Sequence, residues 1–404
     1  MDQALQAPLD WIATQREHMV FLTESWSRIN SGSYHVEGVG AMRQALADNF
    51  LWLDGIQEVL PVAPLMQVDA AGKEVARPMA EALSIRKRPE APVQVLLMGH
   101  LDTVFGPEHP FQQPRFLDAN TLNGPGVADL KGGLVVMLKA LEAFERSPWA
   151  ANLGWQVLLN PDEEIGSIGS DPLMREAVKG KHLGLIYEPA LPDGSLAGAR
   201  KGSGNFSIVV TGRAAHAGRN PEEGRNAIVA AAELAQGIFA LNGQRDGVTL
   251  NPAAIEGGGA MNVVPDMAVL RFNIRTRVAA DEAWVLGEID RLMAIITARE
   301  GFSATRHGFF TRAPKPMSPQ NARLFDFVQD CGRQLGLDIG IKPSGGCCDG
   351  NNLWKYGLAN VDTLGVRGGN IHSSDEFVML DSLVERAQLS ALLLMRLARG
   401  EFQQ

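Results

Sequence analysis

The sequence predicts an α/β fold, a mixed sheet covered by helices on both faces, with a smaller ferredoxin-like βαββαβ unit inserted into it. Three observations carry this expectation. Short apolar runs of strand length alternate with helical stretches. The rhythm changes between about residues 200 and 316 and then resumes. The chain's 404 residues also exceed the size at which one hydrophobic core usually stops growing, which favours two domains.

Taken in order, Asp10 to Asn30 carries Trp11, Ile12, Met19, Val20 and Leu22 at helical spacing and reads as an opening helix. Val93 to Met98 is a nearly continuous apolar run ending in Gly99, the pattern of a strand buried on both faces. Gly132 to Phe144 reads as a helix, Trp155 to Asn160 as a second buried strand, and Leu183 to Tyr187 as a third. In open α/β sheets functional groups gather at the carboxyl ends of strands, and all three runs end in polar residues. The inserted unit reads as strand Asn205 to Thr211, helix Pro221 to Leu241 with Pro221 in its first turn, and strands Gly247 to Glu256 and Met267 to Arg277. Helix Asp281 to Ala298 and strand Ser303 to Thr311 complete it. Helices at Asn321 to Leu335 and Leu383 to Ala398 resume the larger pattern. The expected division is 1–199 and 317–404 for the main domain and 200–316 for the insert.

Composition narrows the partners. Hydrophobic residues make up 45% and charged residues 21%, ordinary for a globular protein. A net charge of -9, from 37 basic and 46 acidic side chains, argues against nucleic acid and anionic membrane, which select clustered Lys and Arg. No apolar run approaches the ~20 residues of a membrane span, and the N-terminus lacks the basic start and apolar core of a signal peptide. Three cysteines, two of them adjacent, cannot form an extracellular disulfide framework, so a reducing cytoplasm is expected.

The chemistry sits in five blocks. Gly99-His100-Leu101-Asp102 closes the first strand, and residues two apart on a strand face one side. Alone, such a pair is more often a hydrogen-bonded surface pair. Asn123 to Gly133 holds Asp129 before a helix, where a carboxylate is favoured as a cap or serves as a ligand on a backbone that glycines let approach closely. Pro161-Asp162-Glu163-Glu164 follows the second strand; adjacent side chains in extended chain diverge, so the two glutamates can do different work. Tyr187-Glu188-Pro189 ends the third strand, and His372 follows a glycine-rich loop, Gly368-Gly369-Asn370. Several carboxylates at one sheet edge cannot all stay ionised unless cations neutralise them. Two histidines and three carboxylates make a plausible ligand set for paired Zn²⁺ ions. No G-x-S-x-G is present, and no cysteine lies in a His-paired motif, so a metal site outranks a covalent nucleophile.

In this order, the blocks resemble the metallopeptidase family that includes glutamate carboxypeptidase, aminoacylase, acetylornithine deacetylase and succinyl-diaminopimelate desuccinylase. The likeness runs from about Trp11 to Ala398 and is nearest to glutamate carboxypeptidase, since Glu188 stands where several deacylases carry Asp. The resemblance implies two divalent metal ions, Zn²⁺ first and Co²⁺ or Mn²⁺ as alternatives. His100, Asp129 and Glu188 would hold one, and Asp129, Glu164 and His372 the other. It makes Asp102 the residue that orients His100, and Glu163 the general base acting on the bridging water. Thr211 to Gly218 matches the family's lid motif, so the resemblance implies that His216 stabilises the oxyanion, in its own chain or across a homodimer formed through the insert, which becomes a lid and dimerisation domain. Asn262 and Arg275 would bind substrate, Arg275 through a two-pronged grip on a carboxylate; otherwise Arg275 is a surface strand cation. Ser344 to Asn351 resembles the substrate-pocket loop, with Cys348 where a Ser often stands. Cys347 and Cys348 read as small buried side chains rather than ligands. The remaining histidines read as structural or exposed. The expected activity is cleavage of a peptide or N-acyl amide bond beside a free carboxylate, carboxypeptidase-like. Alternatives are an N-acyl amino acid deacylase, or a non-catalytic binding protein, for which an intact Glu163 beside the ligands has no use.

Overall fold

The computed structural model describes residues 2–402 and builds the larger domain on a six-stranded sheet. Its order is Ile56–Leu60, Ala82–Lys87, Leu153–Asn160, Val93–His100, Leu183–Ile186 and Asn360–Val361. The first two strands run antiparallel to their neighbours, and the last four are mutually parallel. The Val93–His100 strand alternates strictly. Val95 and Leu97 enter the core shared with helices Gln3–Thr14, Gly132–Glu145 and Asp381–Ala398. Leu96 and Met98 enter a smaller core with Met174, Ala177 and Leu353 of helices Asp171–Ala177 and Asp349–Lys355. Burial on both faces is why its sequence shows no polar alternation.

The opening helix expected from Asp10 to Asn30 is instead two, Gln3–Thr14 and Arg16–Ser27, joined at Gln15 (φ -92°, ψ 0°). Pro8 lies inside the first and disguises its start, which Asp2 caps by accepting from the Ala4 N–H at 3.2 Å.

Residues 202–312 form a separate four-stranded antiparallel sheet, ordered Thr249–Gly257, Met267–Thr276, Gly202–Thr211, Ser303–Arg312. Helices Ala227–Phe239 and Ala280–Thr297 cover one face, packing on Phe206, Ile208, Leu270 and Ile274. The intervening residues, including Asn205, Ser207, Arg271, Asn273 and Arg275, point away from the helices by the two-residue period of a strand. That helix-free face packs Val209 and Val269 against Val68 at one end and, at the other, looks onto the larger sheet's carboxyl edge through Ser203, Asn205 and Arg275. Pro221 does not start the first of these helices. Pro221–Glu223 is one tight turn, Gly224 is extended, and the helix begins where Asn226 accepts from the Val229 N–H at 3.1 Å. Among the described residues no helix is long and apolar enough to cross a membrane.

Gly133 opens the buried helix against the strand end that precedes Glu188. A Cβ there would lie 2.1 Å from the Tyr187 carbonyl oxygen, too close for any side chain. Gly133→Ala should therefore lower the thermal midpoint by several degrees, an overpacking cost of about 1–3 kcal/mol. An unchanged midpoint in a calorimetric scan would contradict the packing described.

Candidate metal centre

The parallel strands deliver their ends to one edge. His100 is in register with Asn160, and Met98 with Ile186, so His100, the segment after Asn160 and the segment after Ile186 arrive at one level. Asp129 comes from the irregular turn before helix Gly132–Glu145, and His372 from the loop between Gly368–Gly369 and Phe377–Met379.

Asp129 sits at the middle. Its Oδ1 lies 3.1 Å from His100 Nε2 and its Oδ2 lies 3.3 Å from His372 Nε2. Glu188 Oε1 is 3.8 Å from His100 Nε2, and Glu164 Oε2 is 3.1 Å from His372 Nε2. The five residues thus form two adjoining groups that share Asp129. Proximity also places Glu163 beside His100 and Glu188. However, the Arg312 guanidinium already takes Glu163 Oε1 at 2.7 Å, so Glu163 is committed to a cation of the protein itself.

The electrostatics ask for more positive charge than the chain provides. Burial pushes the Glu164 carboxyl up to about 8, with the Asp129 charge adding to it. Burial and Asp129 likewise drive Glu188 well above the carboxylate range. Asp129 itself is held low, against its burial, by the two histidines. Hydrogen bonds to Asp129 and Glu164 carry His372 to about 11, while those to Asp102 and Asp129 raise His100 despite its burial. Glu188 Oε1 is buried without a hydrogen-bond partner among the described residues. An orphaned carboxylate oxygen in a cluster of imidazole nitrogens and carboxylates fits a site for divalent cations.

Around the cluster, buried groups fix its geometry. Asp102 accepts the Glu163 and Glu164 N–H groups at 3.1 and 3.2 Å and the Ser33 hydroxyl at 2.7 Å. His100 Nδ1 lies 3.0 Å from the Asp102 carbonyl oxygen and 3.4 Å from its carboxylate. Asp102 thus orients the histidine and the glutamate doublet together. The doublet is not extended, as its sequence suggests, but sits in a tight turn, Glu163–Ile165. The two side chains still diverge, Glu163 to Arg312 and Glu164 to His372. Arg312 is fully buried, pairing also with Asp349 at 2.8 Å and donating to Ser167 Oγ at 2.8 Å. Burial brings Glu163 up to about 7 against the pull of Arg312. Glu376 accepts the N–H groups of Gly126, Ala128 and Asp129 at 3.2, 2.9 and 3.0 Å and so holds the Asp129 turn.

A cavity of about 500 Å³ opens from the cluster and is walled by Arg200, Arg275, Ser344 and Cys347. Arg275 donates to Cys347 Sγ at 3.0 Å and has no carboxylate partner among the described residues, so it is not a paired surface cation. Cys348 is buried, its sulfur accepting from the Gly350 N–H. Cys347 is not the small buried side chain expected, because Arg275 draws it into the cavity wall. His216 and Asn262 lie elsewhere. They neighbour one another, joined by the Ala217 N–H to the Asn262 carbonyl at 2.9 Å, and both are exposed outside this cavity. Arg312, Asp349, Ser167, Glu376 and Arg200 went unrecognised in the sequence. Asp349 does stand inside the Ser344 to Asn351 block singled out there, and Glu376 follows four positions after His372.

The raised carboxyls fix a pH signature. In metal-free protein Glu163 and Glu164 bind protons more tightly folded than unfolded, so their contribution is full below about 4.5 and lost as pH rises through 7 and 8. His372 acts in the same direction above 6.5. The metal-free thermal midpoint should therefore fall between pH 5 and pH 8, and added Zn²⁺ should raise it more at pH 8, where fewer protons compete. Equal Zn²⁺ shifts at the two pH values would count against a cation site here.

Comparison with known proteins agrees with this geometry. Residues 96–396 match the model of peptidase family M20/M25/M40. Carboxypeptidase G2 of Pseudomonas sp. (strain RS-16) is 27% identical over 76% of this chain and 74% of its own. Succinyl-diaminopimelate desuccinylase of Maricaulis maris is 28% identical over 71% and 77%. The crystal structure of a tripeptidase from Staphylococcus aureus superposes with a TM-score of 0.76 at 21% identity, over 95% of this chain and 99% of that one. With its sheet edge, its inserted unit and its ligand blocks accounted for, the chain belongs to peptidase family M20/M25/M40 and is a metal-dependent hydrolase of amide bonds.

Proposed function

We propose that this chain cleaves a peptide or N-acyl amide bond next to a free carboxylate, in the manner of a carboxypeptidase, with two divalent ions, zinc foremost. The observation that carries the reading is Asp129, whose two oxygens face His100 and His372 separately at 3.1 and 3.3 Å. His100, Asp129 and Glu188 would hold one ion, and Asp129, Glu164 and His372 the other. Ions bound there would polarise the scissile carbonyl and acidify a shared water. Glu163, with a pKa brought up to about 7, suits a residue that takes a proton from water and returns it to the leaving amine near neutral pH. Arg312 fixes that carboxylate, and Asp102 fixes its backbone. Arg275 offers an unpaired guanidinium to the substrate's carboxylate. A deacylase of N-acyl amino acids would use the same centre, and the likeness to a desuccinylase supports keeping it as the second reading.

We read residues 200–316 as a lid and dimerisation domain on a main domain of 1–199 and 317–404. His216 and Asn262 lie exposed outside their own chain's cavity, which favours their serving the partner's site in a homodimer, His216 at the oxyanion and Asn262 on the substrate. Three free cysteines favour a reducing cytoplasm.

Two experiments test these readings. Exhaustive chelation should abolish turnover of N-acyl amino acids and dipeptides, and Zn²⁺, Co²⁺ or Mn²⁺ should restore it. Glu163→Gln should retain bound metal yet lose about 10²–10⁴-fold in kcat; full activity without metal, or an active Glu163→Gln protein, would defeat the mechanism. Mixing inactive Glu163→Gln with inactive His216→Ala subunits should regenerate activity if His216 works across the dimer, whereas no recovery would assign His216 to its own chain or to neither site.

A further inference from the structure

Two thiols border the cavity beside the cluster and have no part in the hydrolysis proposed for it. Cys347 and Cys348 are free, adjacent in sequence, and both on the wall of that cavity. Their settings differ. Cys347 is half-buried and Arg275 donates to its sulfur at 3.0 Å, whereas Cys348 is 3% exposed and its sulfur accepts the Gly350 N–H at 3.3 Å. The third cysteine, Cys331, is enclosed in the main core and does not line the cavity. A small oxidant entering the cavity therefore meets Cys347 first, with Cys348 as the next residue in the chain. Burial also pushes the Cys348 thiol well up, which keeps it inert until its neighbour has reacted.

The pair sits where a bond between its sulfurs would be felt at the cluster. Cys348 caps helix Asp349–Lys355: its sulfur holds the Gly350 N–H, while its own N–H donates to Asn351 Oδ1 at 3.1 Å. The first residue of that helix, Asp349, pairs with Arg312 at 2.8 Å and accepts the Ser167 hydroxyl at 2.6 Å. Arg312 in turn holds Glu163 at 2.7 Å. Cys348 is extended (φ -153°, ψ -171°), so neighbouring side chains diverge and the loop has to turn before the sulfurs can meet. It has the room to do so. Gly345 and Gly346, just before the pair, are exposed, and a Cβ on Gly345 would meet no atom within 4 Å. Turning would take the Cys347 sulfur from Arg275 and the Cys348 sulfur from the Gly350 N–H, loosening the start of the helix that carries Asp349.

We propose that Cys347 and Cys348 are an oxidative modification site, closed by hydrogen peroxide into a reversible vicinal disulfide that switches the enzyme off. The Cys347 sulfur attacks the peroxide O–O bond and becomes a sulfenic acid, and its proton leaves in one water. The Cys348 sulfur then displaces the sulfenic hydroxyl, which departs with the Cys348 proton as a second water. Two thiols are oxidised to one disulfide, and one peroxide is reduced to two waters. Adjacent Cα atoms lie ~3.8 Å apart, nearer than in an unstrained disulfide, so the closed ring is strained and reopened by reductants. The bond itself is independent of what the cavity binds, whereas its effect on turnover rests on the amide-hydrolase reading.

The test treats the reduced, metal-loaded full chain with hydrogen peroxide and then alkylates the remaining thiols. Peptide masses should show Cys331 alkylated, and the peptide holding Cys347 and Cys348 unalkylated and lighter by two hydrogens. Turnover should fall about tenfold or more, the scale of loss when a catalytic group is displaced, and a phosphine reductant should restore it. Cys347→Ser and Cys348→Ser, each compared with its own untreated form, should both hold their activity in peroxide; two variants keep the test decisive if one fails to fold. Cys348 still open to alkylation, oxidation that stops at a sulfenic or sulfinic acid on Cys347, or serine variants inactivated as fully as the parent would overturn the site. A disulfide that forms without loss of turnover would overturn the switch. No turnover by the reduced, metal-loaded protein would defeat the hydrolase reading, while the peptide masses would still decide the disulfide.

Discussion

Concentrated negative charge at a buried sheet edge is the constraint on which the rest of this structure depends. Three parallel strands bring Asp129's neighbours, Glu164 and Glu188, to one level, and parallel register leaves no freedom to separate them. Without added cations those carboxylates are pushed toward neutrality, and the histidines toward permanent charge. The protein answers locally with Arg312, which neutralises Glu163 and Asp349 together. It answers again with Asp102 and Glu376, whose oxygens accept the backbone N–H groups of the turns that carry Glu163, Glu164 and Asp129. The result is an edge organised for cations before any arrive.

The same edge explains why one glutamate doublet can serve two purposes. Glu163 and Glu164 are neighbours in sequence, yet one pairs with a buried guanidinium from the lid's last strand and the other with an imidazole from a loop near the chain's end. Arg312 ends Ser303–Arg312, so the inserted unit contributes a buried cation to the cluster as well as residues to the wall of the cavity beside it.

Much of this was legible in the sequence, and the reasons are specific. His100, Glu164 and Glu188 stand out because each follows an apolar run, and a doubly buried strand leaves little room for another reading. Asp129 and His372 were marked by glycine-rich surroundings. Arg312 was not legible, because an arginine at a strand end carries no local sign that its partner lies 149 positions away. Cys347 and Cys348 look alike in sequence, and only Arg275 in three dimensions separates them. Pro8 and Pro221 misplaced two helix starts in opposite senses, one hidden inside a helix and one in a tight turn that the helix does not continue. Asn262 and His216 were recognised through the resemblance, but spacing alone could not say that they lie outside their own chain's cavity.

Glu376 has one more consequence, in the order of events during synthesis. Its bond to the Asp129 N–H spans 247 positions, and His372 joins from the same late segment. The strands carrying His100, Glu164 and Glu188 leave the ribosome long before either residue. Synthesis runs from the N-terminus, so the residues of the acidic edge emerge before the segment that anchors the Asp129 turn and supplies His372. The Asp129 turn is accordingly completed only by the late segment that carries Glu376 and His372.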